Sequence, residues 1–313
     1  MPVFDPIPAA PEEAELPLSL WGPEYWAVLP WEREPTDLGY NSHTWKVTDG
    51  THTRVLKAVP ADHADRFEVG LAMAAVVAAQ GIPSGAPRPL PDGGGLVARS
   101  GEWAWALLDL VTGEKVDQAE PEQLALVGAV LGRVHRALAD QPVPRGGMVW
   151  GQMDWLLAEG EFLEPYPWIQ PALREAMSGI PDSLTTGVVH GDPRIAEFRV
   201  DGAVAGLIDW GEVMYAPHIF DVGTLLDYLD DGVDQTPLLR GYLSESLLGQ
   251  DEFAHVGTMR KFRSAAEAWI YARRAWFDIT LGQRGEFTNA SILDMKKADI
   301  EAIDAGEREV RLG

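Results

Sequence analysis

Val188-Val189-His190-Gly191-Asp192 and, further on, Leu207-Ile208-Asp209-Trp210-Gly211 decide the reading of this 313-residue chain. In each, an apolar β-type run gives way to a turn, and an aspartate stands at the change: Asp192 after Gly191, Asp209 after Ile208. Between them, Phe198-Arg199-Val200 and the run Ala203 to Ile208 flank the dipeptide Asp201-Gly202. Asp-Gly between two apolar runs is a strong hairpin signal, because tight hairpin turns need left-handed backbone. If those strands pair, the two carboxylates can converge on one end of a sheet. One could then take a proton from an attacking hydroxyl while the other holds a cation. That is the minimum equipment for metal-assisted phosphoryl transfer.

Outward from this centre the chain divides into a strand-rich third and a helical remainder. Gly39 to Val47 and Thr51 to Val59 alternate apolar and polar residues about Asp49-Gly50, which predicts a hairpin. Ala64 to Gln80 reads as a small-residue helix stopped by Gly81 and Pro83. Two more strands are expected, at about Gly95 to Arg99 and Trp103 to Val111. From Glu122 onward, Leu124, Val127, Leu131, Val134 and Leu138 recur at the spacing of a helix with one buried face. Beyond Phe220 the pattern is helical, most clearly from Phe262 to Leu281. Met1 to about Pro35, rich in Pro and acids, reads as an arm packed on the body by Trp21, Tyr25, Trp26 and Trp31. The expected class is therefore α+β in two lobes, strand-rich and then helix-rich, with the chemistry below the hinge.

Composition narrows the function. An apolar fraction of 46% with twelve Trp supports a large packed core. The chain has no cysteine, which excludes disulfide and thiolate chemistry and suits a cytoplasmic protein. No basic residue precedes Arg33, so the N-terminus does not read as a secretory signal. The run Val69 to Ala79 is too short to span a bilayer. A net charge of -23 argues against nucleic acid and against anionic membranes as partners. It serves solubility, or a cleft that attracts a cationic substrate. Oligomeric state has no signature in the sequence.

Several residues outside the two aspartates are candidates. Lys57 is the one lysine of its strand, among apolar neighbours, and reads either as a snorkelling edge residue or as a cation for nucleotide phosphates. The second role calls for a carboxylate to orient it, and Glu68 lies early in the following helix. Gly39-Tyr40-Asn41-Ser42 could cover phosphates, although no G-x-G-x-x-G is present. The connector around Asp109 and Leu110, closed by Gly113, could offer backbone groups to an adenine edge. A two-metal phosphoesterase built on His190, Asp192, Asp209 and His218 lacks the clustered ligands such sites need.

Taken together these pieces resemble the aminoglycoside phosphotransferase and choline kinase family, small-molecule relatives of the protein kinases. His190-Gly191-Asp192 is similar to the start of that family's His-Gly-Asp-x-x-x-x-Asn loop, and Ile208-Asp209-Trp210 to its metal motif. Asp221, Lys57, Glu68, the connector Leu108 to Gly113 and the helix ending at His135 follow in the family's order. The resemblance implies a protein-kinase-like fold with an arm (1–35), a nucleotide-covering N-lobe (36–113) and a helical C-lobe (114–313). It implies ATP and Mg²⁺ as cofactors, and transfer of the γ-phosphoryl group to a hydroxyl of a small, amine-bearing molecule. In that scheme Asp192 accepts or orients the hydroxyl proton, Asp209 holds Mg²⁺, and Lys57, Glu68, Asp109 and Leu110 hold the nucleotide. His190 and Asp221 fix the loop by hydrogen bonds.

The chain departs from the family at Glu197, where the resemblance calls for the metal-binding Asn, and at Pro193 to Ala196. Glu197 is compatible with three roles: an alternative metal ligand, a residue pointing away from a one-metal site, or an impairment that leaves a nucleotide-binding relative with a sensing or scaffolding role. Arg194 reads as a surface arginine or as a cation near the transferred group. In the helical lobe Asp227, Asp230, Asp231 and Asp234 could neutralise an amine or form a solvated loop. Trp269, Tyr271, Trp276 and Phe277 read as core packing or as a stacking wall.

Overall fold

The computed structural model describes residues 10–22, 26–30, 42–280, 283, 287–307 and 310. The first lobe is one antiparallel sheet made of β1 (Ala27–Leu29), β2 (His43–Thr48), β3 (Thr53–Pro60), β4 (Pro87–Arg88), β5 (Ala98–Ser100) and β6 (Trp103–Asp109). Its order is β1-β2-β3-β6-β4, with β5 also on β6. The hairpin β2–β3 turns at Asp49-Gly50 as the sequence predicts. Asp49 Oδ1 accepts the amides of Thr51 at 2.8 Å and His52 at 2.7 Å. Of the region around Gly39-Tyr40-Asn41, only Ser42 onward lies within the described residues.

Period-two alternation gives this sheet two apolar faces. Leu56, Ala58, Trp103 and Trp105 pack on one side with Leu18, Trp21 and Trp26 of the arm. Val59, Ala104 and Ala106 pack on the other with Phe67 and Leu71 of α1 (Ala64–Ala79). Lys57 shares the second face, opposite Ala106. The arm also contributes β1 to the sheet edge, which its three apolar residues were too short to announce. Tyr25 and Trp31 lie outside the described residues.

The second lobe holds α2 (Pro121–Leu138), β7 (Met148–Val149), α3 (Ile169–Ser178), β8 (Thr186–Val189), β9 (Phe198–Asp201), β10 (Val204–Leu207), β11 (Met214–Pro217), α4 (Ile219–Asp227), α5 (Thr236–Glu245), α6 (Val256–Trp276) and α7 (Asn289–Asp304). The α2 stripe read from sequence is buried throughout: Leu124, Val127, Leu131, Val134 and Leu138 are all part of the large core. No helix among the described residues is long and apolar enough to cross a membrane. Helix α6 stops at Trp276 rather than Leu281. Phe277 closes it and Asp278 takes a left-handed φ of 51°.

Two glycines let backbones touch. A Cβ on Gly70 would overlap the carbonyl oxygen of Trp210, so α1 rests directly on the Asp209-Trp210-Gly211 turn. A Cβ on Gly128 would overlap the carbonyl oxygen of Leu238, where α2 crosses α5. Gly128→Val is expected to destabilise the chain by more than the roughly 1–3 kcal/mol usual for overpacking, because the obstacle is backbone and cannot rotate away. Chemical unfolding of the variant checks this, and a midpoint like that of the parent would refute the crossing geometry.

Candidate active site

The hairpin β9–β10 forms at Asp201-Gly202, with Val204 opposite Asp201. It carries Asp209 but not Asp192, which follows β8, and β8 pairs with β11. The expectation that one hairpin unites the aspartates is thus corrected: a histidine joins them. His190 Nε2 donates to Ile208 O at 3.1 Å, and its Nδ1 faces the Asp192 amide at 3.4 Å. The ring meets Trp210 edge-on with centroids 4.8 Å apart. Burial lowers the pKa of His190, keeping the ring neutral as this pattern of one donor and one acceptor requires.

Asp221, in the first turn of α4, holds the loop from behind. Its Oδ2 accepts the His190 amide at 2.8 Å and its Oδ1 the Gly191 amide at 2.9 Å. His135 Nε2 donates to Oδ2 at 3.0 Å, and Tyr242 Oη bonds His135 Nδ1 at 2.8 Å. Burial alone would raise this carboxyl. The His135 hydrogen bond and the Gly191 amide outweigh it and hold the pKa below the usual carboxylate value. The phosphoesterase arrangement does not form, because His218 is buried against His135, ring centroids 4.4 Å apart.

Asp209 has a left-handed φ of 67° at the start of a single 3₁₀ turn. Its carboxylate reaches across the lobes to Lys57, Oδ1 to Nζ 2.6 Å. The Lys57 charge, outweighing burial, brings Asp209 down to about 2. The sequence reading gave Lys57 a different partner, Glu68. In the structure Glu68 is exposed, with Oε1 beside Gly95, and the carboxylate on Lys57 is Asp209. Helical geometry explains the difference: residues two apart point to opposite sides, and α1 turns Arg66, paired with Glu212, toward the interior.

Asp192 is bracketed by arginines. Its Oδ1 accepts from Arg263 at 2.6 Å, and its Oδ2 lies 3.3 Å from Arg194 Nε. Arg194 also bonds Glu197 Oε1. Glu197 therefore points inward, where burial first, and then nearby Asp209, push its carboxyl up to about 7 against the pull of Arg194. Arg263 in turn contacts Glu267 at 2.9 Å, and Glu267 contacts Lys296 at 2.7 Å. The sequence reading missed Arg263, Glu267 and Lys296. The only local signal was an Arg and a Glu four apart on α6, a spacing usual for exposed helix pairs.

A cavity of about 760 Å³ lies between the lobes, with Lys57, Asp192, Arg194 and Asp209 in its wall. Its far end is lined by Met148, Met153, Trp155, Phe262, Tyr271 and Met295. Asp109 and Leu110 are not part of this wall. Asp109 pairs with Arg54 and gives its amide to Ala86 O at 2.9 Å, while Leu110 makes no hydrogen bond among the described residues. The acids proposed for an amine are turned elsewhere. Asp227 bonds Arg260 at 2.6 Å, Asp230 bonds Gln118 at 3.1 Å, Asp234 caps Thr236 at 2.9 Å, and Asp231 is exposed. Of the late aromatics, Trp269 is core, Tyr271 lines the cavity, and Trp276 and Phe277 are exposed. Among the described residues no cluster of three or more His, Asp or Glu is arranged around a metal position.

A model of the phosphotransferase enzyme family matches residues 32–255. No match was found among curated proteins. An amicoumacin kinase in complex with AMP-PNP and Ca²⁺ superposes with a TM-score of 0.69 at 16% identity, covering 92% of this chain and 91% of that one. A microcompartment-associated aminopropanol kinase gives 0.64 at 17% identity over 93% and 95%. A choline/ethanolamine kinase family protein from Mesorhizobium loti gives 0.59 at 15% over 93% and 91%. The two-lobe, protein-kinase-like fold expected from the sequence is the fold shared with these structures.

Proposed function

The chain belongs to the phosphotransferase enzyme family, and from that premise we propose that it is an ATP-dependent kinase acting on a hydroxyl of a small molecule. The observation that carries this is the Lys57–Asp209 contact, which places a cation and a carboxylate from opposite lobes in the wall of one cavity with Asp192. Buried donors test whether an anionic cofactor fits there. Arg66 Nε and Arg194 Nε are buried without a hydrogen-bond acceptor, and both residues line the cavity. Unmet donors of this kind suit phosphate oxygens. A single carboxylate also suits Mg²⁺, which commonly binds through one or two carboxylates plus the nucleotide's own phosphates.

When bound, Mg²⁺–ATP supplies the γ-phosphoryl group and neutralises charge on it. Lys57 would hold the phosphates and Asp209 the metal, so the pair seen here opens to admit the cofactor. The connector carrying Asp109 and Leu110, which the resemblance assigns to the adenine edge, lies outside the wall of this cavity. Asp192 takes the acceptor's hydroxyl proton through Oδ2, the oxygen that Arg263 does not hold and that Arg194 Nε approaches only to 3.3 Å. The acceptor is a hydroxyl compound with an apolar body, because the far wall is Met- and aromatic-rich and its carboxylate, Glu267, is matched by Arg263 and Lys296. None of Asp227, Asp230, Asp231 and Asp234 lines this cavity, so an amine on the acceptor would not meet them there. A nucleotide-binding relative without transfer is the second reading, favoured by the two arginines that bracket Asp192.

Differential scanning fluorimetry with ATP and GTP, with and without Mg²⁺, tests the nucleotide reading. Ligand at a hundredfold excess over Kd stabilises the native state by about 2.7 kcal/mol. Lys57→Met is expected to abolish the Mg²⁺–ATP shift, and a retained shift would remove Lys57 from the site. Nucleotide consumption across amino alcohols, aminoglycosides and apolar-bodied alcohols separates kinase from non-catalytic relative.

A further inference from the structure

We propose that the guanidinium of Arg194 is a built-in cation standing where a second divalent ion would otherwise sit, so that this chain works with one metal, held at Asp209. The inference rests on the kinase reading above and concerns the one position where the chain departs from the pattern its loop resembles. That pattern offers a neutral Asn oxygen; this chain offers Glu197, and supplies Arg194 three residues earlier.

The two residues form a unit. The backbone runs Asp192, Arg194, Glu197 in linked turns, with Arg194 N on Asp192 O at 2.8 Å and Glu197 N on Arg194 O at 2.9 Å. The side chains close the same circuit. Arg194 bonds Glu197 Oε1 through its terminal nitrogen and lies 3.3 Å from Asp192 Oδ2 through Nε. Arg194, in the cavity wall, thus sets a fixed positive charge between the Asp192 and Glu197 carboxylates, as a metal held by the loop would. For Glu197 to ligate a divalent ion through Oε1, that ion would have to displace the Arg194 nitrogen bonded to it, and at either oxygen it would stand close to a guanidinium of like charge.

The pairing also accounts for an acidic residue beside the triphosphate site. Arg194 offsets the charge that Glu197 carries when ionised, and Arg194 itself stands in the cavity wall with Nε 3.3 Å from Asp192 Oδ2. A surface arginine pairing with a passing acid would not be built this way. Arg194 is largely covered, and it meets acids at both ends of one short loop.

Electron paramagnetic resonance of Mn²⁺ titrated into the full chain, saturated with the non-hydrolysable analogue AMP-PNP, counts the metals directly. One Mn²⁺ per nucleotide-bound chain is expected for the parent and for Arg194→Lys, which keeps the charge. Two are expected for the double variant Arg194→Ala, Glu197→Asn, which restores the neutral ligand and removes the cation. Thermal melts confirm that each variant is folded. Two Mn²⁺ in the parent, or one in the folded double variant, overturns the inference while leaving the kinase reading intact. Failure of AMP-PNP to bind the parent at all overturns both.

Discussion

Asp192→Asn is expected to lower kcat by about 10²–10⁴-fold, the range in which a positioned general base contributes, with little change in ATP binding. The amide keeps the shape and one acceptor oxygen, so Arg263 retains a partner on the loop, but an amide cannot take up the hydroxyl proton. Arg263 is also held independently, by Glu267 at 2.9 Å, by Tyr228 Oη at 3.3 Å and by Gly191 O at 3.3 Å. Loss of turnover therefore reports on the carboxylate rather than on a displaced arginine. Steady-state kinetics on the acceptor found by the consumption screen, with Mg²⁺–ATP saturating, decides the matter. A variant with parental kcat would exclude Asp192 from the chemistry. A drop in kcat with a parental fluorimetric shift on ATP is the expected signature, since the Lys57 and Asp209 side chains are untouched.

What the sequence made legible follows from range. Asp49-Gly50 and Asp201-Gly202 announced hairpins because a turn is decided by two residues. The α2 stripe from Leu124 to Leu138 announced a helix because its period repeats locally. The linked His190-Gly191-Asp192 and Ile208-Asp209-Trp210 segments carried the family. Other features depend on distance. Lys57 and Asp209 meet across 152 positions, and nothing near Lys57 distinguishes that carboxylate from Glu68. Arg263, Glu267 and Lys296 look like an ordinary charged helix surface until α6 and α7 turn them inward. Strand β11 escaped notice because four residues ending in Pro217 give too short a run, and its identity as a strand comes from the neighbours β7 and β8. The acids near Asp230 do not line the cavity, for a related reason. Charge runs say nothing about direction, and here the side chains are spent on Arg260, Gln118 and Thr236.

Asp221→Asn is expected to damage the fold and the site together. Three donors converge on two oxygens of this buried carboxylate: the amides of His190 and Gly191, and His135 Nε2. An Asn side chain supplies one acceptor oxygen, and its NH₂ must face a donor whichever way it is turned. Removing one partner of a buried charged network typically costs about 3–5 kcal/mol. The cost should depend on pH in a set direction. The folded pKa of Asp221 lies below its unfolded value, so its contribution is present above the unfolded value and is lost as pH falls through the folded one. The stability gap between parent and variant should thus be widest at neutral pH and narrow on acidification below about pH 4, the ordinary range of an unfolded Asp. Urea unfolding of both proteins from pH 7 to pH 3 measures it. Equal midpoints at pH 7 would mean that the loop carrying Asp192 is held by something other than Asp221. A constant gap across the series would locate the loss in shape rather than charge. Because the same carboxylate sets the backbone from which Asp192 projects, any folded fraction of the variant should also turn over more slowly than its ATP binding predicts.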